Sequence, residues 1–72
     1  MTITIGQARG RVTRFEESRG IGEVTGDDGQ VYPFHCTQIA DGSRRIAVGA
    51  AVRFAVGAGG GGRWEAVGVE RV

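Results

Sequence analysis

The stretch "RGIGEVTGDDGQVYPFHC", Arg19 to Cys36, decides the fold. Side chains in a strand alternate between its two faces, so Arg19–Thr25 puts Gly20, Gly22 and Val24 on one side and Ile21 and Glu23 on the other. Glu23 has no partner with which to be buried. Its face therefore meets water, and Ile21 goes with it. "GDDG", Gly26–Gly29, reads as a hairpin turn in which Asp28-Gly29 supplies the left-handed backbone. The returning strand, Gln30–Cys36, sets Tyr32 and Phe34 on one face and Val31, Pro33 and His35 on the other. Pro33 has no N–H to give to a ladder, which predicts an unpaired edge for this strand.

The rest of the chain extends this hairpin. Arg9–Phe15 reads as a strand with Val12 as its firmest core residue. Strict alternation would place Arg14 beside Val12 in the interior, which a small core cannot hold, so the strand is expected to bend or bulge between them. Thr37–Ile39 suits one helical turn, and "ADGS" after it suits a loop. Ala51–Val56 alternates cleanly, with Val52, Phe54 and Val56 inward and Arg53 and Ala55 outward. In Arg63–Val69 the residues Ala66 and Val69 share a face only if a bulge intervenes, and Gly68 is the natural place for it. Five short strands with glycine turns and no room for a crossover helix predict an all-β, five-stranded antiparallel barrel.

The length of 72 residues predicts one domain, 1–72, with residues 1–8 as a loosely ordered extension or an extra strand. So short a chain has a small core and marginal stability. The net charge of +1 favours no class of partner, but all basic residues are arginine, and Arg9, Arg11, Arg14 and Arg19 fall early with Glu16 and Glu17 among them. An ordinary solvated surface and a basic patch both fit that distribution. The longest apolar run, Ile46–Val52, is far too short to cross a bilayer, so no membrane partner is expected. No signal peptide is expected, since "MTITIGQARG" has no basic segment followed by an apolar stretch, and no internal disulfide, since Cys36 is the only cysteine; the expected compartment is the cytoplasm.

Several chemical signals weaken on inspection. "GAGGGG", Gly57–Gly62, fits a dinucleotide pattern by letters, yet it joins two strands instead of opening a helix, so a flexible loop is expected. His35 and Cys36 are adjacent and would point to opposite strand faces, and no further Cys or His completes a metal site. Cys36 reads as a small apolar filler. No Ser or Cys is spaced to work with His35 as a nucleophile. The chain is therefore expected to be no enzyme and to need no metal or cofactor.

"GRVTRF" (Gly10–Phe15), "SRGIGEVTGDDG" (Ser18–Gly29) and "FHCTQI" (Phe34–Ile39) resemble the cold-shock domain family in order and spacing. The resemblance runs from about Gly10 to Val69. It implies a five-stranded OB-type barrel that binds single-stranded DNA or RNA without catalysis. It also implies an outward aromatic platform built on motifs of the kind K-G-F-G-F-I and V-F-V-H-F. Here those read "RGIGEV" and "YPFHC". Position by position, Arg14 stands where the family has tryptophan, and Ile21, Glu23, Pro33 and Cys36 stand where it has phenylalanine. Phe15, Arg19 and His35 keep the family's residue type or charge.

Ile21 thus faces water because it occupies a binding-surface position. A base stacked on an aromatic ring is worth about 1–3 kcal/mol, so losing four or five rings forfeits roughly 4–15 kcal/mol. Arginine can restore part of this by stacking or by pairing with phosphate. The expected contact residues are Arg14, Phe15, Arg19, Ile21, His35, Arg63 and Trp64. Trp64 is either a displaced stacking ring or a plug at the barrel end. Two partners remain open: a single strand of DNA or RNA held mainly by arginine, or a protein (a second copy of the chain included) on the same face.

Overall fold

The computed structural model describes residues 4–59 and 62–72. Five strands follow in order: β1 (Thr4–Glu16), β2 (Ile21–Gly26), β3 (Val31–His35), β4 (Ala51–Ala58) and β5 (Trp64–Arg71). They form one antiparallel sheet in the order β3-β2-β1-β4-β5. A flat sheet would be thin along one axis, yet the smallest Cα extent is 19 Å. The sheet is rolled, and it is the expected all-β, five-stranded OB-type architecture. The ladder does not close. Its outer strands β3 and β5 approach each other, and the seam is held by a 3-10 turn, Cys36–Gln38, an isolated Ile39–Val69 bridge and an Ala40 N–H to Val69 C=O bond of 2.7 Å. Partial closure of this kind is characteristic of five-stranded OB barrels.

The hairpin forms as its pattern dictates. Val24 and Phe34 are buried, and Ile21, Val31 and His35 are exposed. Gly26 N–H donates to Gln30 C=O at 2.8 Å, and Asp28 ties the turn by accepting from Gln30 N–H (2.9 Å) and the Tyr32 hydroxyl (3.1 Å). Gly22 faces inward, and a Cβ there would lie 2.7 Å from the Phe34 ring. Gly20 differs from expectation: it belongs to the turn before β2, not to the strand. Pro33 sits on the edge strand, as its missing N–H requires.

Both expected irregularities are present. The β1–β2 register shifts between Val12 and Arg14, which leaves Val12 buried and Arg14 in solvent. The β4–β5 register shifts between Arg53 and Ala55, opposite Gly68 at φ 60°, so Ala66 and Val69 are both buried. β1 begins earlier than its pattern predicts, since residues 4–8 pair with β4 across a further shift at Ile5/Gln7. Residues 1–3 of the expected extension, and 60–61 of the expected glycine loop, lie outside the described residues; Gly57 and Ala58 continue β4. The core gathers Val12, Val24, Phe34, Val52, Phe54 and Val69, with Ile39, Ile46 and Ala66 completing it.

Asp41 fastens the loop after the 3-10 turn, accepting from Ser43 N–H (2.8 Å) and Arg71 Nη2 (3.1 Å). Hydrogen bonding from Ser43, and then from Arg71, holds its carboxyl below the usual 3.8. A lowered folded pKa stabilises the fold above the unfolded value, and that stabilisation disappears as pH falls through the folded value. The Asp41 carboxyl carbon should therefore titrate by NMR with a midpoint below 3.8. A midpoint at or above that value would mean the loop is not fastened this way.

Candidate functional site

The register of β1, β2 and β3 arranges their side chains in rows. Arg14, Glu23 and Pro33 are opposite one another across the three strands, and so are Glu16, Ile21 and His35. Both rows face outward. Between them runs Phe15, Gly22 and Phe34, which faces the core. The outward rows line an open hollow of about 370 Å³, whose far wall is Arg63 and Glu65 from the entry to β5. Arg19 completes the rim. A second hollow of about 370 Å³ lies against the first, sharing Glu23, Pro33 and Arg63, with Trp64 and Gln30 on its other side.

Most of the expected contact residues meet here. Arg14, Arg19, Ile21, His35 and Arg63 line the first hollow, and Trp64 lines the second. Ile21 is 38% exposed and Trp64 48% exposed. Trp64 is thus no plug: its ring is available at the surface beside Pro33. Phe15 is the exception. The Thr13 bulge that turns Arg14 outward also turns Phe15 inward, where its ring stacks on Phe34 at 6.1 Å and 10°. The expectation that Phe15 shares the outer face does not hold. Cys36 is half-buried against the core, and because it opens the 3-10 turn its Sγ comes within 3.9 Å of His35 Nδ1, not to the opposite side.

The early arginines divide. Arg11 donates to Gly49 C=O at 3.0 Å and Arg9 lines a hollow with Arg53 and Asp27, away from this face. Arg14 and Arg19 converge on Glu16, at 3.1 Å and 3.8 Å. Glu16 and Glu65, neither of them among the expected contact residues, bring the charged wall to three arginines and three glutamates together with Glu23. Alternation from Arg14 places Glu16 on the same face, so that signal was present in the sequence. Glu23 is half-buried, and its carboxylate has no hydrogen bond or ion pair among the described residues, since its cross-strand neighbour Arg14 turns to Glu16 instead. His35 is pinned: Nδ1 accepts from Thr37 N–H (3.3 Å) and lies 3.0 Å from the Thr37 hydroxyl. An accepting Nδ1 puts the neutral ring's proton on Nε2.

This is a small OB-type barrel with a concave, mixed-charge face over its first three strands. No family model matches the chain. The chain is similar to Cold shock protein 1 of Arabidopsis thaliana, 38% identical over 65 residues that make up 88% of this chain and 22% of that protein. The similarity supports a cold-shock-like family. The chain spans only about a fifth of that relative's length. Among the described residues no helix is long and apolar enough to cross a membrane.

Proposed function

We propose that the chain binds single-stranded DNA or RNA on the outer face of β1–β3, weakly, without catalysis, and mainly through arginine. One observation carries the reading: Arg14, Arg19 and Arg63 line one hollow with Ile21 and His35, and the exposed Trp64 borders the adjoining hollow that shares Arg63. Guanidinium groups pair with phosphates and stack on bases, and an exposed indole offers a base one flat ring. Three phosphate contacts give a slope of log affinity against log salt near −2, or about 20-fold weaker binding between 50 and 200 mM salt. The test is an NMR titration with short oligonucleotides at low and moderate salt. Shifts concentrated on Ile21, Glu23, His35 and Trp64 and fading with salt are expected; none on this face at low salt would end the reading.

Glu16 opposes this binding, because it already occupies the guanidinium groups of Arg14 and Arg19. Releasing an exposed ion pair of this kind is worth up to about 1 kcal/mol. Glu16→Gln should therefore tighten oligonucleotide binding by about two- to fivefold and steepen its salt dependence. Unchanged affinity would mean that phosphate does not meet these two arginines.

The balance of three arginines against three glutamates favours a second reading, in which the face takes a protein partner through Ile21 and Pro33. Such a partner should be lost with Ile21→Asp and be insensitive to added oligonucleotide. Retention by that variant would remove this reading.

A further inference from the structure

We propose that the hollow beside Trp64 is a base-reading subsite for guanine within a single strand, and that Glu23 selects it. This deepens the nucleic-acid reading above and rests on it. Two flat apolar walls, the exposed Trp64 indole and the Pro33 ring, border the hollow, which at about 370 Å³ falls among small-ligand sites of about 300–1,000 Å³. Unstacked bases of single strands are commonly held between such walls and read along their edges.

Glu23 supplies the edge contact. A carboxylate only accepts hydrogen bonds, and this one has its full accepting capacity unused among the described residues because Arg14 donates to Glu16. Guanine presents two adjacent donors, N1–H and the N2 amino group, which match the two carboxylate oxygens. Cytosine and adenine set one amino donor beside a ring acceptor, and thymine or uracil sets one N–H between two carbonyls. Each of these brings a lone pair against the carboxylate. Arg63 borders the same hollow, where it can meet the strand's phosphate. Glu23 therefore selects in two ways, by accepting from guanine and by repelling the other edges.

Trp64 is the chain's single tryptophan, so its fluorescence reports occupancy directly. The whole chain is titrated at low salt with an oligothymidine and with the same oligomer carrying guanosine, 7-deazaguanosine or inosine at one internal position. Guanosine should bind at least about fivefold tighter than thymidine, as a good bidentate base contact allows. 7-Deazaguanosine, which keeps N1–H and the N2 amino group, should match it, whereas inosine, which lacks that amino group, should lose most of the gain. Glu23→Gln, checked for folding by circular dichroism, should bind the oligothymidine more tightly and give up the guanosine preference. Equal binding of thymidine and guanosine oligomers by the unmodified chain, or a preference that survives Glu23→Gln, overturns the subsite while the nucleic-acid reading stands. No binding of any oligomer overturns both.

Discussion

Phe54→Ala is expected to lower the urea midpoint of unfolding by about 1.5–5 M, taking a slope of about 1–2 kcal/mol/M for so small a domain. Phe54 is 1% exposed, the largest fully buried side chain, and its ring lies 5.4 Å from that of Tyr32. Truncating a buried phenylalanine costs about 3–5 kcal/mol, the lost transfer energy plus the cavity left behind. Net stability of about 0.05–0.15 kcal/mol per residue gives roughly 4–11 kcal/mol for this chain, so one side chain removes a large share of it. Phe54→Leu keeps most of the volume and should shift the midpoint much less. A shift for Phe54→Ala below about 1 M would mean that the barrel collapses around the gap or that the ring is less enclosed than the packing indicates.

Gly10→Ala is the second large loss, for a reason unrelated to burial of apolar surface. Gly10 lies where β1 pairs with Gly26 of β2 on one side and Val52 of β4 on the other. A Cβ there would run into the Thr25 carbonyl oxygen and sit 2.8 Å from Gly26 Cα. Both are backbone atoms held in the sheet, so no side chain can swing aside. Overpacking of a tight site costs about 1–3 kcal/mol, and here the displaced strand would also strain the ladder that sets the rows Arg14–Glu23–Pro33 and Glu16–Ile21–His35. The expected result is early loss of amide protection along the β1–β2 pair, together with weakened oligonucleotide binding. Full protection in Gly10→Ala would show that the two strands stand farther apart than their register implies.

How much was legible in the sequence depended on how strictly each segment alternated. The β2–β3 hairpin was readable because Gly22 and Val24 alternate with Ile21 and Glu23, and because Asp28-Gly29 permits the turn. The break between Val12 and Arg14 was readable from chemistry alone, since a guanidinium could not enter the core. Its consequence one residue further on was not carried through. Once Thr13 is the extra residue, Val12 and Phe15 share a face although they are three apart, and the half-buried Phe15 ring packs against the core. The early part of β1 was hidden for a similar reason: the shift at Ile5/Gln7, beside Gly6 at φ 56°, spoils any period-two pattern there.

The candidate face was legible only in part. Ile21, Glu23, Pro33 and His35 followed from alternation within the hairpin. The position of Trp64 did not, because it depends on how the far end of the sheet curls back toward Pro33, a relation between residues 31 apart in the chain that no local pattern encodes. The neutralising role of Glu16 was not legible either, since alternation places Glu16 on the face of Arg14 and register places Glu23 opposite it, and only the fold decides between the two carboxylates.

The edge position of Pro33 bears on how the protein behaves when crowded with its own copies. An outermost strand normally offers a row of spare donors and acceptors on which another chain can build, and growth of that kind leads to fibres and precipitates. Here the row has a gap at its centre, because the pyrrolidine nitrogen has no hydrogen to give, while Val31 (54% exposed) presents the one greasy side chain that would otherwise invite stacking. Pro33 thus guards that edge, and Pro33→Val should make the chain more prone to self-assembly along β3, read as increased light scattering at high protein concentration.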